Sequence, residues 1–294
     1  MTRHFLTGGE LTGDQLARLL DRAAELKADR HASDALAGRG VALVFEKPST
    51  RTRVSFEVGI RELGGHAVVL REGETQLSRG ESLRDFALVL SRMVAAICLR
   101  TGPDAKLEEL RKHSSVPVVN MLSEGHHPCQ ALADLLTLRE RFGELRGLKL
   151  AYVGDGNNVT NSLMLLGGLA GMEVVAATPD ELRPDAAIAE RSGSRVTSNA
   201  GDAVMDAHAV YTDVWVSMGD EDSDAKRRLL EPFRLDEALL SGARPDAVAL
   251  HCLPAHPGEE ITEDVLYGER SAVWDQAENR LHAQKALLEF LVGG

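Results

Sequence analysis

Val41-Ala42-Leu43-Val44-Phe45-Glu46-Lys47-Pro48-Ser49-Thr50-Arg51-Thr52-Arg53 is the stretch on which the reading of this chain turns. Five consecutive apolar residues that stop before a Lys-Pro turn read as a buried strand. The Ser49–Arg53 segment then packs two guanidiniums among hydroxyls, and a helix starting near Ser49 aims its unpaired N–H groups and the positive end of its dipole at the same point. Either Arg51 or Arg53 can offer a bidentate fork to a phosphate, with Ser49 and Thr50 adding donors. Lys47 brings a third cation to the turn. Such crowding is costly without an anion, which favours a phosphate cradle over a capped helix with solvated arginines.

The bulk of the chain sets limits on what the cradle can serve. Its 294 residues fit two domains of ordinary size, and 44% hydrophobic with 27% charged residues is a globular composition. A formal charge of −12 argues against nucleic acid or an anionic membrane as partner, so an anionic substrate has to be attracted locally. The first twenty residues contain Gly8-Gly9-Glu10 and Asp14, so no secretory signal is expected, and no span has the length to cross a bilayer. Cys98, Cys129 and Cys252 form no paired motif, which points to a reducing, cytoplasmic compartment.

On either side of the cradle, strands and helices alternate. Leu16, Leu19, Leu20 and Ala23 share a helical face over residues 11–27, with Thr12 or Asp14 to cap it. A helix carrying Phe56, Val58 and Ile60 runs up to Gly64-Gly65, Ala67 to Leu70 is a second strand, and residues 72–81 read as an exposed loop long enough to reach a neighbouring subunit. After a helix over 82–93 comes a strand, Ala95 to Leu99, that ends at Arg100. A charged residue there sits where ligands bind in open α/β sheets. Val116 to Asn120 is the next strand, and it leads to His126-His127-Pro128-Cys129-Gln130. Proline at the first helical position puts His127 at the cap and Gln130 in the first turn. The paired histidines have no companion Cys or His at ligand spacing, so no metal is expected.

The charged stretch 139–147 reads as the joint between halves, after which the alternation resumes. Leu148 to Val153, Glu173 to Ala177, Ala209 to Thr212, Ala247 to Leu250 and Ala272 to Trp274 are short apolar runs, with a helix over 161–170. Gly154-Asp155-Gly156-Asn157-Asn158 follows the first of them, but Val159 replaces the third glycine of a dinucleotide fingerprint, so no cofactor is expected. Successive strand ends carry Asn158, Asp213, Cys252 and Arg280. That set suits a zwitterion: a carboxylate for an ammonium, and amide and backbone donors for a carboxylate. A Cys252–His251 dyad is not expected, because neighbours on a strand point to opposite faces. Leu281, Leu288, Leu291 and Val292 line one face of a last helix that packs back on another domain. The fold class expected is therefore α/β, with two doubly wound domains built on mainly parallel sheets: residues 1–142 with the C-terminal helix 278–294, and residues 143–277.

Six of these stretches, in order and at compatible spacing, resemble the aspartate/ornithine carbamoyltransferase family, and within it the branch that acts on ornithine. They are Phe45 to Arg53, His127 to Gln130, Gly154 to Asn158, Asp213-Val214-Trp215-Val216-Ser217-Met218-Gly219, His251-Cys252-Leu253-Pro254 and Ala277-Glu278-Asn279-Arg280. The similarity runs from about His4 to Leu291. It implies that Ser49, Thr50, Arg51, Thr52 and Arg100 hold the phosphate and carbonyl oxygen of carbamoyl phosphate. His127, Pro128, Cys129, Gln130 and Arg280 would fix the carbamoyl group. Asn158, Asp213, Ser217 and Met218 would grip the α-amino and α-carboxylate ends of L-ornithine, with Cys252 and Leu253 beside the reacting amine. Among these, Arg100, His127, Cys252 and Arg280 would take part in the chemistry. Gln76 matches a position that reaches an adjacent subunit's site, which implies homotrimers or multiples of trimers. The resemblance places the chain in arginine metabolism, with no cofactor and no metal. The shorter chain and Pro257, where a basic residue is common, are departures.

Two other acceptors, putrescine and an N-acetylated amine, would keep the cradle and change the second half. Asp213 and Ser217-Met218 speak against them, since they suit an α-amino acid end. A dinucleotide-dependent oxidoreductase requires the full glycine fingerprint, and a non-catalytic binding subunit requires damaged motifs.

Overall fold

The computed structural model describes residues 2–216 and 223–293. It divides into two compact units, Met1–Leu136 with Glu278–Gly294, and Thr137–Ala277. In chain order the first half carries α1 (Gly13–Ala28), β1 (Gly40–Phe45), α2 (Thr50–Glu62), β2 (His66–Arg71), α3 (Leu83–Leu90), β3 (Ile97–Arg100), α4 (Asp104–His113), β4 (Val118–Leu122) and α5 (Pro128–Phe142). The second carries β5 (Lys149–Val153), α6 (Asn158–Leu169), β6 (Glu173–Ala177), α7 (Ala186–Ser192), β7 (Arg195–Thr197), α8 (Ala200–Val204), β8 (Ala209–Thr212), α9 (Ser223–Leu230), α10 (Glu237–Ser241), β9 (Val248–His251), α11 (Glu263–Leu266) and α12 (Val273–Val292).

Each unit is an open sheet whose named strands all pair in parallel, with orders β2-β1-β3-β4 and β7-β6-β5-β8-β9. The order reverses between β1 and β3 in the first sheet, and between β5 and β8 in the second. The crevice outside the carboxyl ends at such a switch point is where open α/β sheets bind ligands. In the first sheet that crevice lies beyond Phe45 and Arg100, which face each other in register. In the second it lies beyond Val153 and Thr212.

Burial explains which strands the sequence reveals. β1 is buried at every position, as its unbroken apolar run requires. β2 is an edge strand that alternates with solvent, and the edge strand β7, Arg195-Val196-Thr197, is too short and polar to be read from sequence. Helix α4 was likewise not expected within residues 102–116; Leu107 and Leu110 are its only buried side chains. The stretch read as a joint is helical as far as Phe142.

The largest correction concerns Ala272 to Trp274. This run is not a strand but the entry to α12, with only a bridge between Ser271 and Ala249 beside β9. From Glu278 onward α12 belongs to the first unit. It seats closely on α2, where a side chain at Gly59 would come within 3.1 Å of Lys285 Cγ and 3.3 Å of Leu281 Cδ1. Buried Lys285 donates to Glu62 at 2.8 Å, and Arg30 pairs with the same carboxylate. The helix is buried nearly all round from His282 to Leu288, not on one face alone. Among the described residues, no helix is long and apolar enough to cross a membrane.

Candidate active site

In the first unit, the cradle is built by the start of α2. Ser49 is the N-cap, its hydroxyl accepting from the Thr52 amide at 3.4 Å, and Thr50 opens the helix. Arg53 turns to Glu57 one turn on, at 2.5 Å, in a half-exposed pair. Arg51 and Lys47 make no ion pair among the described residues. A cavity of about 700 Å³ opens here, lined by Lys47, Ser49, Thr50, Arg53 and Arg71 among others, so of the two arginines it is Arg53 that lines the cavity. Glu46, which also lines the cavity, pairs with Lys106 at 2.9 Å and receives the Thr101 hydroxyl at 2.6 Å.

Behind the cradle lies a buried polar cluster. Arg280, on α12, donates through Nη1 to Gln130 Oε1 at 2.8 Å and through Nη2 to the Thr52 hydroxyl. Gln130 donates in turn to Asp134 Oδ1 at 2.8 Å, one turn along α5. Arg280, Gln130, Thr52 and Asp134 are all at most 3% exposed. His127 precedes Pro128 at the head of α5, and its carbonyl accepts from the Ala131 amide at 3.3 Å. Burial, then the charges of Arg280 and Arg100, hold His127 well below the usual histidine range, so the ring is neutral. The Cys129 thiol points away, to the Asn120 carbonyl at 3.3 Å, and burial pushes it up to about 12, so any contact it makes with a ligand must come from its backbone. Gln76 is exposed at the head of the short helical turn Gln76–Arg79, touches Arg79, and does not line the cradle cavity. Arg280 thus comes from α12, not from an end of the second sheet as the sequence suggested.

In the second unit, the Asp213 carboxylate at the end of β8 is 5% exposed and held from two sides. The Cys252 thiol donates to Oδ1 at 2.8 Å, and Asn157 Nδ2 donates to Oδ2 at 2.8 Å. Asn157 also caps α6, accepting from the amides of Val159 and Thr160, so Asn158 is the first helical residue. Sequence reading passed over Asn157 because it started this helix at residue 161; an Asn ahead of an apolar run is an N-cap signal. Gly156 serves the turn itself: a side chain there would lie 2.3–2.5 Å from the backbone of residues 182–184. That close approach accounts for one glycine of the motif without any nucleotide.

His251 is bonded to groups other than the thiol. Its Nδ1 accepts from the Leu253 amide at 2.8 Å and its Nε2 donates to Glu260 at 3.2 Å, which fixes a single neutral tautomer. No Cys–His dyad forms. The same bonds hold Leu253 in the left-handed region at φ 60°, a strained backbone that over-determined surroundings support. Asp213, His251 and Cys252 place possible metal-ligand atoms within 4.8 Å of one another, as do His256, Glu259 and Glu260; in the first set these atoms are engaged by the hydrogen bonds just described. Ser217 and Met218 lie outside the described residues.

Each unit therefore places charged and polar groups at the switch point of its sheet, which defines a two-unit α/β protein built to hold small charged ligands. Residues 3–140 match the carbamoyl-P binding domain, and residues 146–291 the Asp/Orn binding domain, of aspartate/ornithine carbamoyltransferase. The ornithine carbamoyltransferase of Acidothermus cellulolyticus is 54% identical, covering 99% of this chain and 97% of its own. The structure of the ornithine carbamoyltransferase from Pyrococcus furiosus superimposes with a TM-score of 0.95 at 45% identity, covering 100% of this chain and 98% of its own. That from Thermus thermophilus gives 0.90 at 47% identity, covering 96% of each chain. The chain belongs to the aspartate/ornithine carbamoyltransferase family.

Proposed function

We propose that the protein transfers the carbamoyl group of carbamoyl phosphate to the δ-amine of L-ornithine, giving L-citrulline and phosphate. The observation that carries this reading is the buried Arg280 fork, shared between Thr52 of the cradle and Gln130, beside a neutral His127. Ser49, Thr50, Arg51, Thr52 and Arg100 hold the phosphate and carbonyl oxygen, and His127, Gln130 and Arg280 orient the carbamoyl group, with Pro128 and Cys129 contributing backbone. A neutral imidazole can donate to the carbonyl oxygen without adding a cation to a site that already holds several.

Asn158, Asp213, Ser217 and Met218 take the amino-acid end of ornithine, and Cys252 and Leu253 flank its δ-amine. The bond from the Cys252 thiol to Asp213 supports a positioning role for the thiol and not a nucleophilic one. The unprotonated amine attacks the carbonyl carbon directly. The tetrahedral intermediate carries negative charge on the former carbonyl oxygen, and its collapse breaks the C–O bond to phosphate, which leaves with the extra proton of the attacking nitrogen. Fixed donors aimed at that oxyanion and at the leaving group supply most of the rate. Gln76 reaches the site of an adjacent subunit in a homotrimer, or a multiple of trimers, and the enzyme works in the cytoplasm with Cys98, Cys129 and Cys252 as free thiols.

The test is to supply carbamoyl phosphate with ornithine, aspartate, putrescine and N-acetylornithine in turn and to measure ureido product. Product from ornithine alone is expected. Product from another acceptor, with none from ornithine, overturns the reading.

A further inference from the structure

Asp134 lies one turn beyond Gln130 on α5, is wholly buried, and accepts the Gln130 amide nitrogen at 2.8 Å. The Asp134 oxygen that meets Gln130 acts as an acceptor, and a guanidinium offers only donors. A glutamine amide set between them therefore has one favourable orientation: nitrogen to Asp134, oxygen to Arg280. The structure has this arrangement, with Gln130 Oε1 2.8 Å from Arg280 Nη1. Flipping the amide would put oxygen against carboxylate and NH2 against guanidinium, two repulsive contacts in a place where water cannot intervene. Arg280 is held in turn against the Thr52 hydroxyl at the cradle.

We propose that Asp134 is a positioning residue for the transfer reaction: it locks the Gln130 amide so that Arg280 is held at the cradle with one hand on Gln130 and the other on Thr52. The proposal rests on the functional reading only in taking Gln130 and Arg280 as ligands of the carbamoyl group. An asparagine at 134 has nearly the same shape but can donate as well as accept, so it no longer dictates the orientation of its neighbour.

The experiment compares Asp134→Asn, Gln130→Ala and the double variant in steady-state assays with carbamoyl phosphate and ornithine. It is paired with thermal unfolding and a crystal structure of Asp134→Asn. Misplacement of a site group by an ångström costs up to about 100-fold. We expect kcat of Asp134→Asn to fall about 10- to 100-fold on that scale, with the KM for ornithine within about twofold of wild type, because ornithine is held by other residues. The double variant should be no slower than Gln130→Ala, because Asp134 acts through Gln130. If Asp134→Asn does not fold, Asp134→Ser carries the same comparison without added bulk. Wild-type kcat in a folded variant, or losses that multiply in the double variant, overturn the proposal. So does a variant structure in which Gln130 Oε1 still meets Arg280 as before, and this last readout holds whatever acceptor the enzyme uses.

Discussion

Arg51 and Arg53 sit two positions apart in the first turn of α2, and they differ in how they are paired. Arg53 is paired with Glu57 four residues on, whereas Arg51 has no ion pair among the described residues. Arg51→Ala should therefore leave the fold intact and lower turnover about 100-fold or more, the worth of one well-aimed donor of about 3 kcal/mol. Arg53→Ala should change turnover by only a fewfold in the same assay. The chemistry of the stretch alone left the two arginines as equals and the family resemblance chose Arg51, while the (i, i+4) spacing of Arg53 to Glu57 was the local signal that separates them. His127 makes a second prediction. Burial and the neighbouring arginines lower its folded pKa, so the neutral form supports folding fully above the unfolded value near 6.5, and that support is lost as pH falls below it. Over that window, each pH unit should cost wild type about 1.4 kcal/mol more than a folded His127→Gln variant, read from urea midpoints. Parallel pH profiles would show that the imidazole is not held neutral. Catalysis should show no acidic limb from His127 near pH 6.5. Instead kcat/KM for ornithine should climb about tenfold per unit below the δ-amine pKa, taken as the lysine-like value near 10.4.

Among the elements, the buried strands were the most legible feature, whereas their order, and so the two switch points, came only with the structure. Unbroken apolar runs mark buried parallel strands, and β1, β5, β6 and β8 were read within a residue or two of their ends. Elements that bury little escaped: β7 is a polar edge, and α4 shows mainly charge. Ala272 to Trp274 misled because a three-residue apolar run fits a strand or the first turn of a helix equally well, and only packing decides between them. That error carried Arg280 to the wrong sheet, whereas α12 delivers it to Thr52 and Gln130. Asp134 could not be singled out at all, since an acid among the helical leucines of α5 reads as ordinary until its partner is seen. The turn after β5 makes its own prediction. Gly156→Ala places a Cβ within 2.5 Å of backbone at residues 182–184, so the turn must shift, at a cost of about 1–3 kcal/mol in a denaturant titration. A variant with an unchanged midpoint would mean that the turn yields freely.

For the molecule as a whole, the proposed function divides recognition between the two units: carbamoyl phosphate at the β1/β3 switch point, and the amino acid at the β5/β8 switch point. Composition foretold the local character of the first site, because a chain of net charge −12 can attract a doubly charged acyl phosphate only where several cations converge. The second site was legible as a set of strand ends but not as a bonded group, since the ties from Asp213 to Asn157 and Cys252 join residues far apart in sequence. Calorimetric titration of carbamoyl phosphate into wild type, Arg280→Ala and Asp213→Asn, without any acceptor, tests this division most directly. Binding should weaken about 100-fold or more in Arg280→Ala, where at least one charged hydrogen bond of about 1.5–3 kcal/mol is lost and its buried partners are stranded. Affinity in Asp213→Asn should stay within about threefold of wild type. Equal weakening in both variants, or unchanged binding in Arg280→Ala, would contradict the account.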